Sequence, residues 1–285
     1  MERFTFVNGN GQSVVIGGHR DDYLLVSHKG TTAAEVLTTA RKGYNQHGQH
    51  YIKANLGVRI ISLTFCIRRD TDLHFYERKR GLSALFNPLL GEGILTYEND
   101  YTKKCLTVSV TGMPDLAEKS KILGKYTVEF TAFMPFWYDE QETEVRLNGV
   151  TGGLSFPVQF TGAGIQFALK GARATVTINS DVDVPLTMEF SGPCENPVFA
   201  NTSTGKRIAI KTAVSSTEKI IVTTDYGNKN IYKVAKNGTK TNVNNLITND
   251  TQFFSLRPGA NALTFDADTG TPEVDIRYRN LFTGV

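Results

Sequence analysis

Between residues 144 and 280 the chain is cut into short runs rich in β-branched and aromatic residues, each ended by Gly, Pro, Asn or Asp before a helix of ordinary length can form. "EVRLNG", "LSFPVQF", "GIQFALK", "ATVTINS", "VPLTMEFSG" and "NPVFANTS" are followed by "KRIAIKT", "EKIIVTTD", "NIYKVAK", "QFFSLR", "ALTFDAD" and "EVDIRYRN". Strands this short, recurring at roughly 8–12-residue spacing, point to a β-sandwich or jelly roll. "KNGTK" at 236–240 is an Asn-Gly hairpin. In "FFSLRPGANALTFDAD", residues 253–268, Pro258, Gly259 and Asn261 make a tight turn between two strands, in which Phe253, Ser255, Leu263 and Phe265 have the period of two expected when one face of a sheet is buried.

The first half carries the same strand signal with one interruption. "RFTFVNGNGQSVVIGG" reads as strand, Asn-Gly turn and strand, "DDYLLVSHKG" as a further apolar run, and "VRIISLTFCIRRD" as the strongest strand of the chain. Residues 72–86, "DLHFYERKRGLSALF", then set Leu73, Tyr76, Leu82 and Leu85 near helical spacing. Thr71 or Asp72 caps that helix and Asn87–Pro88 stops it. Gly81 weakens it by about 1 kcal/mol relative to alanine. "GILTYENDYTKKCLTVSVTGMPD" and "KYTVEFTAFMPFWYDE" supply three more strands. Residues 31–50 stand apart: "GYNQHGQHYI" is rich in Gly, Asn and Gln and suits an extended arm or long loop. The acidic, polar "DEQETE" around 139–143 is the candidate boundary. The expected fold is therefore mainly β, with an α+β domain over 1–140 built on one main helix and a β-sandwich over 141–285.

A length of 285 residues accommodates about two domains, and 40% apolar with 21% charged residues is enough to build cores. The formal charge of +3 demands neither a nucleic-acid partner nor an anionic membrane. No basic segment followed by an apolar stretch succeeds Met1, and no window approaches the roughly 18 apolar residues of a membrane span. A soluble protein made in a cytoplasm is expected. Cys66, Cys105 and Cys194 are odd in number and lack a CxxC pair, so buried thiols are expected rather than disulfides or a zinc site.

Candidate chemistry was weighed against ordinary structural roles. His47 and His50 have a metal-like spacing, but Gly48 intervenes and no acid or thiol is near. His19 beside Asp21 and Asp22 lacks the geometry of an acid/base pair in a strand. No GxSxG elbow or phosphate loop occurs, and "GVTGG" at 149–153 lacks a following helix. In "PFWYDEQE", Trp137 would stack on a sugar while Asp139 and Glu140 act as glycosidase carboxylates, but such pairs come from separated elements. Arg68, Arg69, Arg78, Lys79 and Arg80 suit a phosphate-binding patch, yet Asp70, Asp72 and Glu77 interleave as on a solvated or subunit-pairing helix face. Tyr226, Tyr232, Phe199 and Asn201 are of the types that bind sugars on a sandwich, or that fill its core. No catalytic set, cofactor or metal is expected.

Several stretches, in order, carry a family resemblance: "FTFVNGNGQSVVI", "GYNQHGQHY", "RIISLTFCIRRD" before a helix, "LSALFNPLLGEGILTYEND", "PFWYDE", "FFSLRPGANALTFD" and "VDIRYRNLFTGV". They resemble the distal tail proteins of long, non-contractile-tailed, siphovirus-type bacteriophages of Gram-positive hosts, over most of the chain. The resemblance implies a structural virion protein forming a ring, commonly six-fold, that joins the tail tube to the tail tip or baseplate. Its first domain would build the ring with an arm reaching the neighbouring subunit, and its second would be a galectin-like sandwich projecting outward. Mapped here, the arm is 31–51, with Tyr44, His47, His50 and Tyr51 as inter-subunit residues. Arg78, Lys79 and Arg80 fall on the ring surface, and residues 274–279 form the closing strand. Implied partners are further copies of the chain, the tail tube protein, and tail-tip, baseplate and receptor-binding proteins, with assembly in the host cytoplasm. The second half lacks an insertion of about a hundred residues, which implies the short structural type; a carbohydrate-binding adhesion module is the alternative.

Overall fold

The computed structural model describes residues 2–18, 20–67, 72–119, 124–148, 150–151, 169–170, 172–270 and 273–285. The chain divides into two compact units, Met1–Glu140 together with Phe282–Val285, and Gln141–Leu281. It therefore leaves the first unit once and comes back to it. His19, Arg68, Arg69, Asp70, Thr71, Gly149, "LSFPVQF" and residues 164–168 of "GIQFALK" lie outside the described residues.

The first unit is built from Arg3–Val7 (β1), Ser13–Gly17 (β2), Tyr23–Lys29 (β3), Val36–Arg41 (β4), His50–Leu56 (β5), Arg59–Ile67 (β6), Asp72–Leu85 (α1), Glu92–Glu98 (β7), Lys103–Lys119 (β8), Gly124–Ala132 (β9) and Trp137–Asp139 (β10). Apart from β4 and β5, these strands form one sheet in the order β10-β8-β7-β1-β2-β3-β6-β9, and β8 also pairs with β9. Seven strands thus close on themselves into a barrel. The length of β8 makes closure possible: residues 103–109 pair with β7, and its distal part, with three register shifts, pairs with β9. Closure leaves an interior filled from alternate positions of each strand. Phe6 lies 5.0 Å from Phe130 and 5.5 Å from Phe86, ring to ring.

Phe86 follows the last turn of α1, which also buries Leu82. Phe75 packs against the same core, whereas Tyr76, expected on the apolar face, is exposed. The Asn-Gly turn joins this arrangement: Asn8 accepts from the Asn10 and Gln12 amides, and its Nδ2 donates to the carbonyl of Leu85 at 3.1 Å. One side chain thus closes a hairpin and satisfies a carbonyl at the helix C-terminus that has no intrahelical partner.

The second unit is a two-layer sandwich. A six-stranded antiparallel sheet runs Thr143–Asn148, Glu273–Tyr278, Leu186–Ser191, Lys219–Asp225, Asn228–Val234 and Lys240–Asn242. A four-stranded sheet runs Ala172–Ile178, Gly259–Asp266, Val198–Asn201 and Lys206–Ala209. Alternate residues from both, among them Met188, Phe190, Val222, Ile276, Phe199 and Phe265, share one core. Cys66, Cys105 and Cys194 are buried and none of them is joined in a disulfide.

The stretch at 253–268 departs from expectation. Its first limb is no strand; residues there make a single bridge, Leu256 to Val184, and Phe254 rather than Phe253 is the buried ring. The turn is real, with Gly259 at φ +88°, but Asn261 does not take a left-handed backbone. Its buried side chain accepts from the Arg257 amide and from Asn201 Nδ2, and donates to the carbonyls of Arg257 and Gly259. A polar hub replaces half of a hairpin because a buried amide must be fully satisfied.

Candidate inter-subunit interface

Strands β4 and β5 form a separate two-stranded antiparallel sheet, with Val36 opposite Leu56 and Arg41 opposite His50. The expected loop is confined to residues 42–49, and the hairpin runs on to Leu56, beyond the anticipated end at Tyr51. At about 3.3 Å per residue, β4 projects on the order of 20 Å. Every residue of β4 is exposed, and Leu56 alone in β5 is partly covered.

Alternation gives the hairpin two unlike faces. Val36, Thr38 and Ala40 share one face with Leu56, Ala54 and Tyr51 opposite them, while Leu37, Thr39 and Arg41 share the other with Asn55, Lys53 and His50. Ile52 is the extra residue at a register shift between Thr39 and Ala40. Val36 is 61% exposed, Tyr51 67% and Ile52 56%. An isolated hairpin is marginal in water, and an uncovered apolar face marks a contact site. Both outer edges of the pair also offer main-chain groups for strand addition.

Tyr44 stands fully out at the tip, with His47 exposed beside it. His50 begins β5 and accepts from Gln46 Nε2 at 2.9 Å, in the tautomer that leaves Nε2 free. The four residues named for the arm thus share one hairpin. Among the described residues no three His, Cys, Asp or Glu side chains gather as a metal site.

Thr31, expected to open the arm, instead lies buried at its root. Here sits a residue the sequence reading passed over. Arg59 is fully buried and its guanidinium donates to backbone carbonyls: Nε to Pro135 at 2.8 Å, Nη1 to Gly30 at 2.7 Å and Thr31 at 3.0 Å, and Nη2 to Thr283 at 2.5 Å. Trp137 Nε1 donates to the same Thr31 carbonyl at 3.0 Å. Burial lowers the pKa of Arg59 from its ordinary value. Gly30, at φ +85°, brings the chain so close that a Cβ would lie 1.9 Å from the Ile60 carbonyl oxygen. The root is closed by Gly57 N–H to Glu35 C=O at 2.8 Å and Glu35 N–H to Val58 C=O at 3.4 Å. A sequence signal for Arg59 existed: it begins the inward-facing row Arg59, Ile61, Leu63, Phe65, Ile67 of β6.

Near this root, Thr31 Oγ1 lies 3.2 Å from His28 Nδ1, and His28 Nε2 lies 3.1 Å from Glu2. The Tyr97 hydroxyl, donating at 2.8 Å, and then His28 hold Glu2 below the usual carboxylate range.

The remaining candidates do not converge. Arg78 pairs with Asp22 at 2.8 Å, and Lys79 and Arg80 are exposed on α1. Trp137 is wholly buried and offers no ring to a sugar, while Asp139 and Glu140 pair with Lys104 and Lys103. Of the sugar-binding set, Phe199 and Asn201 are interior, so two of its four members face no ligand. Tyr226 is exposed at a turn and Tyr232 is partly buried on the other sheet. Among the described residues no helix is long and apolar enough to cross a membrane.

Residues 27–132 match the phage tail protein RIFT-related domain, and residues 177–282 match the siphovirus-type tail component, C-terminal domain. The Dit protein of phage SPP1, solved as a paradigm of the hub adsorption apparatus in Gram-positive infecting phages, superposes with a TM-score of 0.69 at 15% identity, over 98% of this chain and 99% of that one. A chain of the phage P2 baseplate in its activated conformation with Ca gives 0.56 at 10% identity over 100% of both chains. The corresponding Sr structure gives 0.56 at 11% over the same extent. At these identities the likeness shows the fold. No curated protein matches the sequence.

Proposed function

The chain belongs to the distal tail proteins of siphovirus-type bacteriophages, structural components of the virion tail, and from that premise we propose that it closes a ring of six copies between tail tube and tail tip. The first unit forms the ring and the hairpin 36–56 of each copy lies on the next. The second unit serves as the docking platform for tail-tip, baseplate and receptor-binding proteins. Assembly takes place in the host cytoplasm.

The observation that carries this reading is the hairpin itself, an ordered amphipathic sheet whose apolar face its own chain leaves uncovered. Burying one apolar side chain of this size is worth about 1.5–3 kcal/mol, so covering Val36, Tyr51, Ile52 and Leu56 gives several anchors to each contact. A head-to-tail contact repeated with the right rotation closes into a ring.

Native mass spectrometry and negative-stain images of the purified chain test the reading, beside a variant in which Glu35 is joined directly to Gly57. Those residues already bond across the root, so a folded barrel is the expected state of the excised chain. Discrete six-membered rings from the parent and monomers from the excised chain are expected. Rings formed by the excised chain would remove the arm from the assembly.

A further inference from the structure

We infer that Arg59 makes Phe282–Val285 a clasp on the arm, so that the hairpin keeps its direction while this segment is seated and is released when the segment is displaced. The inference rests on the reading of the hairpin as the element that crosses to the next copy. The carbonyls held by Arg59 come from three separate places: Gly30 and Thr31 where the chain enters the arm, Pro135 ahead of β10, and Thr283 in the return segment. Arg59 itself stands two residues beyond Gly57, where the chain leaves the arm. One guanidinium therefore ties both roots of the hairpin to a segment the chain delivers after the whole second unit. Among the described residues the acceptors it holds are main-chain atoms, so what it reads is backbone position.

The segment is seated by the strand Leu281–Phe282, which lies beside β10 at the edge of the sheet, and by three further contacts. Lys104 Nζ, paired with Asp139, lies 3.6 Å from the centroid of the Phe282 ring. Phe282 and Val285 pack against the barrel core. Gly284 lies against the backbone of Thr32, where a Cβ would stand 2.6 Å from the Thr32 carbonyl oxygen. Leu281 belongs to the second unit and Phe282 to the first, so a pull on the second unit reaches the clasp through one peptide bond.

The test uses the full chain below its assembly concentration, with Gly284→Ala to lift the segment and Arg59→Lys to replace the fork by a point charge. Tyr101→Ala, at an exposed turn outside the segment, serves as control. Trp137, the sole tryptophan, reports on Thr31 by its emission, and hydrogen exchange is read at Glu35 and Gly57, with β6 and β9 amides as the measure of the fold. Expected for Gly284→Ala and Arg59→Lys are a red-shifted emission and exchange about tenfold faster at the root, β6 and β9 unchanged, with Tyr101→Ala like the parent. The concentration for half-assembly should rise about tenfold with them. Root exchange and emission at parent values would overturn the clasp. So would loss of protection in β6 and β9 alongside the root, or a freed root with unchanged assembly. If the parent forms no rings at all, the proposed function fails, and the clasp is still judged by emission and exchange.

Discussion

Residues 3–17 and 36–56 both fold as antiparallel strand pairs, and both gather apolar side chains on one face. In the first, Phe4 and Phe6 face Ile16 and Val14, and all four are buried in the barrel. In the second, Val36, Tyr51 and Ile52 meet solvent. The local code is the same; what differs is whether the chain supplies the other wall. Strand pairing alone fixes the shape of a hairpin, while its stability is set by what covers it. A hairpin kept without cover marks a place where the cover comes from elsewhere.

Four measurements break or sharpen that contrast. Phe6→Ala should cost about 3–5 kcal/mol in urea denaturation of the barrel, the usual range for a buried phenylalanine. An effect near zero would mean the barrel hairpin is no better covered than the arm. Asn261→Ala leaves the Arg257 amide and Asn201 without their acceptor, at about 1–3 kcal/mol each. It should lower the melting of the second unit alone, seen by calorimetry as an early transition. Ile52→Ala should change the stability of the dissociated chain by less than about 0.5 kcal/mol. The same change should raise the concentration for half-assembly about tenfold. Loss of stability without loss of assembly would mean the arm is covered by its own chain.

The smallest effect concerns pH. Glu2 has its pKa lowered in the folded state, so its contribution is present above the unfolded value near 4.5 and is lost as pH falls through the lower folded value. Glu2→Gln should therefore flatten the decline of Tm below about pH 4.5. An unchanged slope in an acid melting series would show that the Glu2–Tyr97–His28 contacts carry no acid sensitivity.

Much of the fold was legible. The helix begins at Asp72 and ends at Leu85, one residue short of the expected range, because its strong stop signals are local. The Asn-Gly turn at 236–240 also closes as read, with Gly238 at φ +82°. Barrel closure was not legible: the pairing of β8 with β9 and the short parallel contact of Ile16 with Tyr23 are set by tertiary register. The arm was visible as an odd composition, but its strands were hidden because Leu37 beside Val36, Thr39 beside Thr38 and Ile52 beside Tyr51 break the alternation. Its root was legible only on the side of Arg59, which heads the inward row of β6, and its partners were not. Carbonyls of Gly30, Thr31, Pro135 and Thr283 do the binding, and a main-chain oxygen leaves no trace in a sequence.

The bond between Arg59 and Thr283 spans 224 positions. On the ribosome, the barrel strands and the arm emerge long before residues 282–285 are translated. A nascent chain therefore carries its arm without the bond to Thr283 through the synthesis of the entire second unit. Closing so long a loop is entropically costly and slows folding, though the cost grows slowly with length. The root of the arm thus gains its tie to Thr283 late, after the strands of the second unit have left the ribosome.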